Sequence, residues 1–214
     1  MAAPPALAAA QPLSCQASPG IVRAVEKLLH LGTFVALIYG LALANVLAHF
    51  SHLIKHGRNA GWYWLHTLWA IFLMLMMAGS WWTLQNWAAV PNITFPSYLS
   101  MLLVPSLMFI AADLLFPKRG TAGVVDLKTH FFNIKKPLFL LIIAIVAADE
   151  LDTVLKGWQH VRALGLFYFA SQVFWYGICV IGIRSQSERV QGTLVCVSLL
   201  VYVGAMINAL AAIH

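Results

Sequence analysis

Apolar runs of about 20 residues, broken by short polar turns, set the pattern of this chain. That is the length a helix needs to cross a hydrocarbon core of about 30 Å. The runs are continuous and do not alternate with period two, which predicts helices and not the strands of a barrel. Six spans follow, over 31–53, 62–85, 97–116, 137–157, 163–184 and 192–213. The expected fold class is therefore an all-α membrane protein, a six-transmembrane-helix bundle with one domain over 21–214. Residues 1–20 are rich in Ala, Pro, Gln and Ser and lack the basic start and long apolar core of a signal peptide. They are expected to be a disordered tail, with the amphipathic stretch 21–30 leading into the first span.

Finer patterning adds three expectations. Trp62 and Trp64 at one end of the second span, and Trp81, Trp82 and Trp87 at the other, predict aromatic belts at two interfaces. Small residues at Ala36, Gly40, Ala44 and Ala48 form a stripe, which predicts that this face of the first helix packs against protein. The fourth span is purely apolar only from Leu138 to Ala148, too short to cross alone. Continued to Gly157, it places Asp149, Glu150 and Asp152 in its outer half.

Composition sharpens the class. The chain is 61% hydrophobic and 9% charged, whereas a soluble domain carries about 25% charged residues. The net charge of +6 does not point to nucleic acid, because Lys and Arg lie in the turns. Lys55, Arg58, Lys118, Arg119, Lys128, Lys135, Lys136, Arg184 and Arg189 fall on one side, against Arg23, Lys27, Lys156 and Arg162 on the other. The positive-inside rule then puts the basic turns in the cytoplasm and both termini outside. Cys15, Cys179 and Cys196 show no metal-motif spacing.

Candidate chemistry gathers in two layers. Asn45, His49, His52 and His56 share a sector of about 40° on the first helix; His56 runs into the aqueous turn. His66 and Asp113 reach a similar depth, giving an inner-face cluster of Asn45, His49, His52, His66 and Asp113. His49, His52, His66 and Asp113 could ligate a divalent metal, two of the histidines could hold a haem iron, or a His–Asp pair could relay protons. The structural alternative is interfacial histidines, with Asp113 paired to Lys118 or Arg119. In the second layer, Asp149, Glu150 and Asp152 are candidates to line a pathway. The alternatives are a salt-bridge stripe of Asp149, Asp152 and Lys156, or acids that lie beyond the bilayer in water. Gln172, Tyr168, Tyr176 and Asn208 suit hydrogen bonds between helices.

Absences matter too: there is no phosphate-binding Gly-rich loop, GxSxG or CxxC, and no inverted repeat between 31–116 and 137–213. The segments YGLALANVL (39–47), WLHTLWAIFL (64–73) with Trp81-Trp82, and AADLLFP (111–117) followed by Asp126-Leu127 resemble a group of uncharacterised small bacterial integral membrane proteins. The resemblance covers residues 35–157, implies a multi-pass protein of the bacterial inner membrane, and carries no activity or site residues with it.

The leading functional expectation is assistance to the passage of protons or a small solute. A metal- or haem-binding membrane enzyme and a non-catalytic scaffold subunit are the alternatives, so enzyme status and cofactor stay open. The expected surroundings are the lipid bilayer and no nucleic acid, with a homo-oligomer or larger membrane complex left open.

Overall fold

The apolar runs are helical in the computed structural model, which describes residues 19–56, 62–90, 93–117 and 126–211. They form α1 (Pro19–His56), α2 (Trp64–Thr83), a 3-10 segment (Leu84–Ala89), α3 (Phe95–Leu115), α4 (Leu127–Leu155), α5 (Trp158–Arg184) and α6 (Glu188–Ala211). No strand occurs among the described residues. Most of the expected tail, Arg58 of the first basic turn, and Lys118 and Arg119 of the second lie outside the described residues, as does Cys15. Among the described residues, five helices are long and apolar enough to cross a membrane: α1, α2 with its 3-10 extension, α3, α5 and α6.

The sixth, α4, starts ten residues before the expected span, so Lys128, Lys135 and Lys136 belong to a helix and not to a turn. Asp126 explains the early start. Its carboxylate accepts from the Lys128 N–H at 3.0 Å, satisfying an orphan donor at the helix N-terminus, and from the Thr129 hydroxyl at 2.6 Å. These donors hold its carboxyl below the usual carboxylate range. The far end of α4 turns into α5 through Gly157 at φ 107°, a left-handed conformation open to glycine. The residues expected in that turn, 158–162, are helical instead. A second left-handed glycine, Gly165 at φ 67°, kinks α5 seven residues in.

The main helix pairings are α1 with α3, α3 with α4, α4 with α5, and α2 with α6. On α1 the face turned inward is Val35, Tyr39, Ala42 and Val46, a helical spacing of four and three. The stripe expected to pack against protein is displaced from that face: Gly40 and Ala44 are exposed. Larger residues on the neighbouring face bury more apolar surface against α3 than the small ones could. On α4, Phe131, Lys135, Leu138, Phe139, Ile142, Ile145 and Asp152 are all buried, so this helix is sheltered between α3 and α5 along most of its length.

Lys135 is only 1% exposed. Its Nζ donates to the carbonyls of Ser185 at 2.6 Å, Ile183 at 3.0 Å and Gly182 at 3.4 Å. Gln191 Nε2 from α6 donates to Gly182 at 2.8 Å and Ser185 at 3.0 Å. The last carbonyls of a helix lack intrahelical donors and carry the negative end of its dipole. A lysine from α4 and a glutamine from α6 fill that need at the end of α5. Gly182 lets the helices meet there, because a Cβ would strike the Phe139 ring. Replacing Lys135 with Met leaves buried acceptors short of donors. The expected loss is about 1–3 kcal/mol, seen as a lower thermal midpoint of the purified protein; an unchanged midpoint contradicts the capping role.

Candidate functional site

At the basic end, His66 of α2 is fully buried. Its Nε2 donates to the Leu115 carbonyl at 2.7 Å, and His130 Nε2 of α4 donates to the same oxygen at 3.1 Å. Leu115 closes α3, so two imidazoles cap a helix C-terminus. His49 lies on the other side of this knot. Its Nδ1 donates to the Asn45 carbonyl one turn back at 2.9 Å, and its ring stacks on Phe116 with centroids 4.0 Å apart. The edge-on contact of His66 with Phe116 is 5.1 Å.

The remaining members of the expected inner-face cluster turn elsewhere. Asn45 is half-buried, while His52 and Asp113 are exposed. Asp113 shares its face of α3 with the exposed Phe109 and Ile110. Among the described residues, no group of three His, Cys, Asp or Glu is placed to hold a metal ion. The proposed metal set of His49, His52, His66 and Asp113 is therefore not assembled. The cause is helix rotation: burying Ala111, Ala112 and Leu115 turns the next position on α3 outward. His56's side chain is outside the described residues. Cys179 is buried and Cys196 exposed, both as free thiols.

The opposite end holds the richer arrangement. Asp152 Oδ1 accepts from the Trp87 indole N–H at 3.1 Å and the Ser100 hydroxyl at 3.2 Å. Its Oδ2 pairs with Lys156 Nζ at 2.5 Å, and that ammonium stands 5.4 Å from the Trp87 ring centroid. One carboxylate thus ties the 3-10 segment and α3 to α4. Trp87, expected in an aromatic belt, is buried instead, while Trp62, Trp64, Trp81 and Trp82 are exposed. The two other acids find tyrosines on α5. Tyr176 donates to Glu150 at 3.1 Å. Tyr168 donates to Asp149 at 3.2 Å and receives the Thr153 hydroxyl at 3.1 Å.

Beside these acids lies a cavity of about 620 Å³. Its depth is apolar, walled by Phe72, Met108, Ile142, Ile145 and Trp175, and its polar side carries Asp149, Thr153, Lys156, His160 and Tyr168. Gln172, expected to bond a neighbouring helix, faces the same cavity, and Asn208 is exposed. The polar groups Asp149, Thr153, Lys156, His160 and Tyr168 come from the half of the bundle away from the basic turns, while the apolar walls reach past mid-helix at Met108 and Trp175. Helix pairing accounts for the space: α5 packs mainly on α4 and α6 on α2, with little contact between α5 and α6. The exposed lining residues Trp82, Phe167 and Ala205 come from α2, α5 and α6, so the cavity opens on the side those helices border.

Spacing alone identified Asp149, Glu150 and Asp152 as a group. It missed Trp87, Ser100, His130 and His160, which lie on other helices or in segments without helical periodicity. Comparison with protein-family models, with curated proteins and with solved structures finds no match.

Removing one partner of a buried ion pair leaves the other uncompensated, at about 3–5 kcal/mol. Asp152→Asn and Lys156→Met should each destabilise the protein on that scale, and the double variant by less than the two single effects together. Denaturant titrations in detergent measure all four corners of the cycle; strictly additive losses would remove the coupling.

Proposed function

We propose that this chain is a six-span protein of a bacterial cytoplasmic membrane that takes a small amphipathic molecule into the cavity from the outer half of the bilayer, assisting its passage. One observation carries the reading: a cavity apolar in depth and polar toward the end away from the basic turns, with its opening between helices. Binding sites for small molecules combine such apolar walls with a few placed polar groups. The basic turns face the cytoplasm, which puts the acids and the cavity outside. α4 spans as well. Its buried charges, Lys135 and Asp152, are 17 residues apart, roughly 26 Å along the helix, close to the thickness of the hydrocarbon core.

Passage of protons through the whole bundle has less support. The chain of hydroxyls from Thr153 through Tyr168 to Asp149 serves the cavity. Between that layer and Lys135, however, the inward face of α4 is Leu138, Phe139, Ile142, Ile145 and Val146. A metal-dependent enzyme has less support, since among the described residues no group of three His, Cys, Asp or Glu is placed to hold a metal ion. A pure scaffold would leave the cavity without a purpose.

Two measurements follow. Ala205→Trp and Ala78→Trp place bulk on exposed cavity-lining positions, and should weaken binding of a monodecanoylglycerol probe by at least about tenfold, or 1.4 kcal/mol, in native mass spectrometry. Equal binding by wild type and both variants overturns the reading. A cysteine placed at position 123, in a chain freed of its own cysteines, should react with an impermeant maleimide only after cells are opened. Labelling of intact cells would reverse the orientation.

A further inference from the structure

We infer that the cavity's occupant is a lipophilic cation, a molecule with an apolar body and a permanent or readily acquired positive charge. This ligand class rests on the cavity reading above. Three charged groups at the end of α4 line the cavity or adjoin it: Asp149, Asp152 and, just past the helix, Lys156. Lys156 is bound to Asp152 at 2.5 Å and drawn over the Trp87 ring, so that pair is neutral as a unit. Glu150, also bound by a neutral tyrosine hydroxyl, is not among the residues that line the cavity. Arg162 stands 5.8 Å from the ring of the exposed Trp158, and His160 brings no fixed charge. Asp149, an exposed residue on the cavity's polar side, therefore gives it a net negative charge, and its carboxylate accepts from the neutral hydroxyl of Tyr168. A carboxylate beside an apolar space attracts a positive charge more strongly than one in open water. A cationic ligand supplies that charge, and an anionic one is repelled.

The walls favour the same class. Phe72, Trp175 and Tyr202 form a three-ring cluster, with centroids 5.6 Å (Phe72–Trp175), 5.8 Å (Phe72–Tyr202) and 6.4 Å (Trp175–Tyr202) apart. All three line the cavity, as do Trp82 and Phe167. Aromatic faces attract cations through their quadrupoles, most strongly where water is excluded. The volume of about 620 Å³ suits a drug-sized organic ion. Carboxylate and rings together distinguish a cation from a neutral lipid, for which apolar walls alone would serve.

The full chain in zwitterionic nanodiscs, with empty nanodiscs as the baseline, tests this by equilibrium dialysis. Tetraphenylphosphonium and tetraphenylborate share size and shape and differ in the sign of charge; monodecanoylglycerol is the neutral probe. Wild type should prefer the phosphonium over the borate by at least about tenfold. Asp149→Asn should lose that preference while still binding monodecanoylglycerol, Asp149→Glu should retain it, and Ala205→Trp should weaken every probe. Equal affinity for the two ions, or an unchanged preference in Asp149→Asn, overturns the cation assignment; continued binding of the neutral probe then leaves the cavity reading standing. Failure of wild type to bind any of the three overturns both.

Discussion

Charge and backbone polarity removed from water must find partners inside the protein, and α4 is where this bundle meets that constraint at both ends. Asp152 collects an indole N–H, a hydroxyl and an ammonium; Lys135 donates to the carbonyls that end α5. Neither group would tolerate burial alone, since an unpaired charge in a low-dielectric interior costs several kcal/mol. Each therefore recruits a neighbouring element: α5 and α6 at one end, α3 and the 3-10 segment at the other. Polar ties at both ends and aliphatic packing between hold one face of α4 against its neighbours, while Leu140, Leu151 and Val154 stay exposed on the other.

The same logic closes the basic end. The terminal carbonyl of α3 receives N–H groups from His66 and His130, and Phe116 is packed against His49 and His66. Histidines gathered in one layer suggest ligation, yet here an imidazole nitrogen on each of two helices serves backbone satisfaction, which a nonpolar surrounding demands first. Packing and capping fill this end. At the other end the acids stand at the edge of open space, because α5 and α6 separate there.

Sequence pattern made the helical class and five of the six expected spans legible, since these depend on local periodicity or on run length. What it could not reach depended on helix rotation and on partners distant in the chain. Asp113 and His66 lie at matching depths, as depth follows from residue count, but their directions follow from which faces bury best. Lys135 looked like a topology signal because a lysine beside an apolar run usually is one; only the nearby end of α5 makes it a cap. Trp87 looked like a belt residue for the same reason, until Asp152 gave its N–H a partner.

Asp149 shows how far the constraint reaches beyond folding. Among the three acids of α4, Asp152 has an ammonium partner and Glu150 a tyrosine turned away from the cavity. Asp149 has a hydroxyl and faces the space. A bundle that compensates its buried charges with this care leaves an exposed carboxylate beside aromatic walls. The preorganised field costs nothing further when a cation arrives, because its negative charge and its ring faces are already in place. Selectivity by charge then follows from the same rule that shapes the fold, with the ligand as the missing counter-charge.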